Sequence, residues 1–138
     1  MTSWTGGTFA NYSSNDADSC AGSGSFGLDY LQDMSQCLSN VTVGTKYYMA
    51  FRFQGWDTSQ SHLGYCVVNF YGAANCNGSN LISSFDASAT SNGAWATTVS
   101  NNAQAPVGTV SMAFACSGSV GHGYYDQLYL GTSSTVRY

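Results

Sequence analysis

The sequence predicts an all-β, antiparallel β-sandwich. Three observations lead there. No window carries an apolar stripe at i, i+3, i+4 and i+7 between recognisable caps. Gly, Ser, Asn and Thr interrupt the chain about every eight to twelve residues. Between interruptions, apolar side chains alternate with polar or small ones, the period of a strand buried on one face. With 138 residues, 43% of them hydrophobic, the chain suffices for the core of one domain over 1–138.

Taken in order, the elements are these. The stretch through Gly27 is loop-rich, with short strands expected at Trp4–Phe9 and Phe26–Tyr30. A weak strand follows at Gln36–Val41, and Gly44-Thr45 turns the chain. The strongest strand is Lys46–Gln54, where Tyr47, Met49, Phe51 and Phe53 share one face. A polar loop from Gly55 to Leu63 carries Trp56 and leads into Gly64–Tyr71, with Cys66, Val68 and Phe70 on one face. Shorter strands are expected at Leu81–Phe85 and Trp95–Val99. In Thr109–Cys116, Val110, Met112, Phe114 and Cys116 alternate with Ser111, Ala113 and Ala115. Tyr124–Leu130 closes the sandwich, with Leu128 and Leu130 inward.

The opposite faces of these strands carry the unusual signal. They hold Tyr48, Arg52 and Gln54, then Tyr65, Asn69 and Tyr71, then Tyr125, Gln127 and Tyr129, with Ala and Ser between them. A solvated sheet face is ordinarily rich in Lys, Glu and Thr. This one offers flat rings, planar amides and a single guanidinium, and the expectation is that these faces lie side by side on one exposed sheet as a ligand-binding surface. Trp56 is expected to overhang it. The bland alternatives are that loops cover the face and that Arg52 pairs with a nearby Asp. Trp95 and Trp4 read as core or edge residues.

Charge excludes several partners. Seven Asp and no Glu stand against Lys46, Arg52 and Arg137, a net charge of −4. That leaves no basic footprint for nucleic acid and disfavours anionic membranes, and no apolar run is long enough to span a bilayer. Met1 directly before Thr2-Ser3-Trp4 suggests a domain taken from a longer exported protein. Asn11, Asn40 and Asn77 open glycosylation sequons, which matter only in a eukaryotic secretory host.

The five cysteines, Cys20, Cys37, Cys66, Cys76 and Cys116, show no zinc spacing. Disulfides in an oxidising, extracellular compartment are expected instead. Cys66–Cys76 and Cys20–Cys37 are favoured, leaving Cys116 as a thiol. Other pairings, such as Cys37–Cys116, stay open.

Two stretches carry a family resemblance. Leu38-Ser-Asn-Val-Thr-Val-Gly-Thr-Lys-Tyr-Tyr-Met-Ala-Phe-Arg-Phe resembles the middle strands of the jelly-roll carbohydrate-binding modules attached to xylanases and cellulases. Gly123-Tyr-Tyr-Asp-Gln-Leu-Tyr-Leu looks like their closing strand, and Cys66, Cys76-Asn-Gly-Ser and Trp95 fall in order between. The resemblance covers roughly residues 30–131. It implies a jelly-roll fold, a polysaccharide or oligosaccharide as partner, and tethering to a larger secreted protein. It also implies a structural calcium with Asp126 as one ligand. The chain departs from the pattern at its N-terminal strand, where only Gly6-Gly7-Thr8-Phe9 stands and no Glu occurs.

Catalysis is not expected. His62 and His122 sit in separate loops, no nucleophile-elbow pattern occurs, and Asp57 is the only acid in the loop beside the expected groove. The alternative from another class is a structural or adhesive domain of an extracellular surface protein, whose tyrosine face packs on a neighbour.

Overall fold

The computed structural model describes residues 5–6, 11–19, 24–30, 32–120 and 122–135. In chain order its strands are β1 (Thr5–Gly6), β2 (Asn11–Ser13), β3 (Ser25–Leu28), β4 (Asp33–Leu38), β5 (Lys46–Gly55), β6 (His62–Tyr71), β7 (Leu81–Ser91), β8 (Val99–Gln104), β9 (Ser111–Val120) and β10 (Gly123–Gly131). Among the described residues they form two antiparallel sheets. One has the order β1-β4-β9-β6-β7 and the other β2-β3-β10-β5-β8. The antiparallel jelly-roll sandwich expected from the sequence is therefore the observed architecture.

The core is made by the alternation. Met49, Phe51 and Phe53 from β5 meet Cys66, Val68 and Phe70 from β6 and Met112, Phe114 and Cys116 from β9, all essentially sealed from solvent. Each large side chain so buried contributes about 1.5–3 kcal/mol. Phe53 needs glycine on both sides: a Cβ at Gly64 would lie 2.3 Å from its ring, and one at Gly123 2.2 Å. These contacts hold the two sheets face to face.

Four expectations are corrected. First, β5 and β6 belong to different sheets, so their outward faces point to opposite sides of the sandwich and do not adjoin. Alternation separates core from surface but does not say which of two surfaces a strand supplies.

Second, Tyr125 lies in the core at 1% exposure. In β10 the pairs Tyr125↔Phe53 and Asp126↔Arg52 are followed by a shift to Tyr129↔Ala50. Gln127 and Leu128 together oppose Phe51, with Gln127 at φ 52°, as in a β-bulge. The bulge reverses the alternation, so Tyr125 faces inward, Asp126 outward, and Leu130 inward again.

Third, the disulfides are Cys37–Cys76 and Cys66–Cys116. Cys66 and Cys116 are direct cross-strand partners on β6 and β9. Cys76, on the 3₁₀ turn Ala74–Cys76, is carried over β4 to reach Cys37. Cys20 lies outside the described residues.

Fourth, β7 runs on to Ser91, and β8 begins where the expected strand at 95–99 ends. Trp95 contributes only an isolated bridge to Gln54, and its ring is partly exposed against Arg52. Val110, expected inward, is 46% exposed. The strand expected at Trp4–Phe9 is described only at Thr5–Gly6.

Candidate functional site

The outward face of the β4-β9-β6-β7 sheet can be built row by row from its register. One row is Asp33, Ser117, Tyr65 and Ser88. The next is Ser35, Ala115, Val67 and Asp86, and the next Cys37, Ala113, Asn69 and Ser84. The small residues of β9 thus form a trough between taller neighbours on β6 and β4. A cavity of about 430 Å³ occupies it, lined by Asp33, Ser35, Asn69, Tyr71, Ala113 and Ala115 and closed at one end by the Cys37–Cys76 disulfide and Asn75. The floor of Ala and Ser foreseen from the sequence is therefore real, but only Tyr65, Asn69 and Tyr71 of the predicted residues stand beside it.

The two tyrosines differ. Tyr71 is 8% exposed and presents little more than an edge. Tyr65 is more open. Partial burial, and then the Asp86 carboxylate, raise its phenol above the ordinary tyrosine value, so it is a neutral donor at all physiological pH. Its backbone is fixed from the other sheet: the Tyr65 N–H donates to Tyr125 Oη at 3.0 Å, and that hydroxyl donates to the Ser117 carbonyl at 2.5 Å.

Tyr48, Arg52, Gln54, Gln127 and Tyr129 lie on the opposite sheet. There the polar groups are engaged by the chain itself. Arg52 Nε donates to the Ala96 carbonyl at 3.2 Å, and its Nη1 donates to the Ala17 carbonyl and to Asp18 Oδ1, each at 3.3 Å. The guanidinium also lies 5.9 Å from the Trp95 ring centroid. Gln54 Nε2 donates to the Gly93 carbonyl at 2.7 Å while its Oε1 accepts from Asn15 Nδ2. Gln127 Nε2 donates to Asp18 Oδ2. Segments 15–18 and 93–96 are pinned across this face, much as the covered-face alternative foresaw. Tyr48 stands under Lys46, and the Tyr129 hydroxyl bonds the Ser133 backbone.

Asp126 was expected to ligate calcium. Its Oδ1 accepts the Gln127 N–H at 2.7 Å, its Oδ2 accepts the Ala17 N–H at 2.8 Å, and Arg52 is its cross-strand partner. Among the described residues no three His, Cys, Asp or Glu side chains converge on a point. Each Asp126 oxygen is thus engaged by one backbone N–H, and a calcium site there would need several further oxygens around the cation.

Trp56 does not overhang the trough. It follows β5 and leans on the other sheet, where its indole stacks on Tyr124 with centroids 5.3 Å apart and planes 15° from parallel. The His122 ring lies 5.5 Å from it, and the His122 carbonyl accepts the Trp56 N–H. His122 Nδ1 in turn pairs with Asp29 Oδ1. Tyr12 and Tyr124, absent from the predicted set, complete this corner. Asp57 sits apart and is held below the usual carboxylate range by the Ser59 hydroxyl and N–H. His62 is buried, and among the described residues its ring nitrogens make no hydrogen bond; Asp57 Oδ1 lies 3.5 Å from its Nε2.

No family model and no curated protein matches the chain. Solved structures do. The second CBM22 xylan-binding domain of Paenibacillus barcinonensis Xyn10C superposes with a TM-score of 0.64 at 10% identity, covering 94% of this chain and 91% of that one. A structure titled as a xylan-binding domain from CBM 22 gives 0.63 at 15% identity over 97% and 89%. The fold is that of the jelly-roll carbohydrate-binding modules. The same fold occurs within the enzymatically active domain of the bacteriophage CBA120 tailspike protein 4, with a TM-score of 0.63 at 14% identity. There this chain spans 96% of itself but only 19% of the tailspike. At these identities the likeness is one of fold, and the trough on β9 must be judged by its own chemistry.

Proposed function

We propose that this domain binds a neutral glycan chain, without catalysis, in the trough over β9. The observation that supports this most directly is the placement of Asn69 and Tyr71 of β6 beside the Ala113 and Ala115 floor, with Tyr65 farther along the same strand opposite Ser117. A sugar ring needs an apolar surface for its C–H face and planar donors and acceptors for its hydroxyls; the Ala113 and Ala115 floor with the Tyr71 edge offers the first, and the Asn69 amide the second. The xylan-binding neighbours lend the same reading support through their fold. Asp33 at the rim and the negative net charge disfavour an acidic polymer.

The placement of the acids favours binding over hydrolysis. Asp33 on β4 and Asp86 on β7 are separated by β9 and β6. Three inter-strand spacings put them roughly 14 Å apart. That exceeds the separation of about 5–9.5 Å used by glycosidase carboxylate pairs. The role is then to hold an attached enzyme or surface near its polymer. Two disulfides agree with an exported domain.

Affinity electrophoresis through gels containing soluble xylan, mixed-linkage glucan, glucomannan or galactan tests this. Retardation is expected with at least one, at a strength of about 4–8 kcal/mol, and is lost in Asn69→Ala and Tyr65→Ala. Free migration through every gel would defeat the proposal. So would a stable oligomer without retention, the mark of an adhesive or structural domain.

A further inference from the structure

The corner around Trp56 has features that the trough does not explain. Two of the largest exposed side chains, Tyr12 at 70% and Trp56 at 55%, border the same cavity although they come from β2 and from the loop after β5. The cavity is about 440 Å³ and is lined also by Ser13, Ser14, Asp29 and Tyr124. It lies beside the β2-β3-β10 end of one sheet, while the trough belongs to the other. Scattered aromatics on a surface are ordinary. Three that meet around one cavity mark a contact site.

The aromatic wall is built before any ligand arrives. Tyr124 backs the indole at 15° from parallel, and the His122 ring holds its edge. The backbone bond from Trp56 N–H to the His122 carbonyl, at 3.1 Å, fixes the loop from which the indole springs. A ring already held in place loses little conformational freedom when something docks on it.

The chemistry of the lining selects the ligand class. Among the described residues no Lys or Arg borders the cavity, so an anion finds no counter-charge from them. The one carboxylate, Asp29, already pairs with His122 and accepts the Tyr30 N–H at 2.6 Å. Its Oδ1 is thus already engaged, and the three aromatic rings do not enclose a cage of the kind a quaternary ammonium ligand fills. What is offered is an aromatic face, a tyrosine hydroxyl, two serine hydroxyls and carboxylate lone pairs. That set matches a neutral polyhydroxylated ring. The volume lies at the small end of ligand sites, which suits a short end of a glycan better than the middle of a long chain.

We propose that Tyr12, Trp56 and Tyr124 form a second carbohydrate site, which takes the terminal pyranose of a neutral glycan by stacking on the indole. Its chemistry is argued from this cavity alone and does not require the trough to bind. With both sites filled, one domain contacts two chains, or two parts of one chain, on opposite sides of the sandwich.

The test follows the indole N–H signal of Trp56 in the ¹⁵N-labelled full chain, assigned by its disappearance in Trp56→Phe. The probes are a panel of methyl glycosides: β-xyloside, β-glucoside, β-galactoside, α-mannoside and β-N-acetylglucosaminide. At least one is expected to shift the signal saturably at about millimolar concentration. The shift is expected to persist in Asn69→Ala and to be lost in both Tyr12→Ala and Tyr124→Ala, with melting curves confirming that the variants are folded. Silence across the whole panel overturns the proposal. So does a shift that survives in both tyrosine variants, or one that vanishes in Asn69→Ala. Tetramethylammonium moving the signal where no glycoside does would overturn it in favour of a cation site. Failure of the trough proposal is read separately, as gel retention indifferent to Asn69→Ala.

Discussion

Tyr125 crosses the core of the sandwich and accepts the backbone N–H of Tyr65. The phenol belongs to β10 in one sheet, and the N–H to β6 in the other. The register of β6 with β9 shifts between Leu63 and Tyr65, so that N–H would otherwise be left without a partner in the ladder. The same hydroxyl returns a hydrogen bond to the Ser117 carbonyl on β9. One buried side chain thus completes the hydrogen bonding at the irregular end of the proposed binding face.

Tyr125→Phe is therefore expected to destabilise by about 1–3 kcal/mol, since it leaves a buried donor and acceptor unmet while keeping the ring. Urea unfolding measures this as a lower midpoint at unchanged slope. A change below about 0.5 kcal/mol would mean that water satisfies both groups. Because Tyr65 stands on the freed N–H, glycan affinity in the trough should fall as well.

The same burial predicts an alkaline weakness. Removal from water is the largest influence on the Tyr125 phenol and pushes its pKa far above the ordinary value, with Asp33 adding to it and the Tyr65 hydrogen bond opposing. In the unfolded chain the phenol ionises near pH 10. Above that pH the folded state binds more protons than the unfolded state, so stability falls as pH rises and is fully present below about pH 10. Unfolding midpoints between pH 8 and 11.5 should show a downward slope that is shallower in Tyr125→Phe. Equal slopes would assign the alkaline loss to other tyrosines.

How far the sequence could be read is clear from β5 and β10. In β5 the alternation holds for the large residues: Tyr47, Met49, Phe51 and Phe53 are buried, Tyr48, Arg52 and Gln54 are partly exposed, and Ala50 is covered. What periodicity lacks is the partner sheet: Arg52 and Asn69 both face outward, but on opposite sides. In β10 the bulge at Gln127 and Leu128 is invisible, because Tyr-Tyr-Asp-Gln-Leu-Tyr-Leu fits either parity. The same ambiguity hides Tyr124 as an outward residue and Tyr125 as a core one. The far half of β7 is equally hard to read, because Ala87, Ala89 and Ser91 turn inward with too little apolar contrast to register as a strand.

The sequence places Arg52 on the expected ligand face, with pairing to a nearby Asp as the alternative. Its hydrogen bonds to Ala96, Ala17 and Asp18 make it a brace of the fold. Its side chain is 20% exposed, so the pairing with Asp18 is not a fully solvated ion pair. Arg52→Ala should lower stability by about 1–3 kcal/mol through the two orphaned carbonyls and the loosening of segments 15–18 and 93–96. Arg52→Lys should recover only part of this, since an ammonium cannot span both carbonyls as the planar fork does. Retention in a polysaccharide gel by the folded fraction should be unchanged, because the trough lies on the other sheet. Loss of retention without loss of stability would return Arg52 to the binding site.

The two disulfides can be told apart by position. Their sequence separations are 39 and 50 residues. On a chain-entropy argument each stabilises by about 4 kcal/mol, mostly by restricting the unfolded chain. Cys66–Cys116 is sealed between the sheets, with both cysteines at or below 1% exposure, whereas Cys37–Cys76 borders the trough. Under mild reductant the outer bridge should therefore open first, and the inner one only on global unfolding. Peptide mapping of protein alkylated at successive times should show Cys37 and Cys76 labelled together while Cys66 and Cys116 remain joined. Opening the outer bridge also frees the turn Ala74–Cys76 that closes the trough, so glycan retention should weaken before the fold is lost. A non-reduced map joining Cys66 to Cys76 would contradict the observed pairing outright.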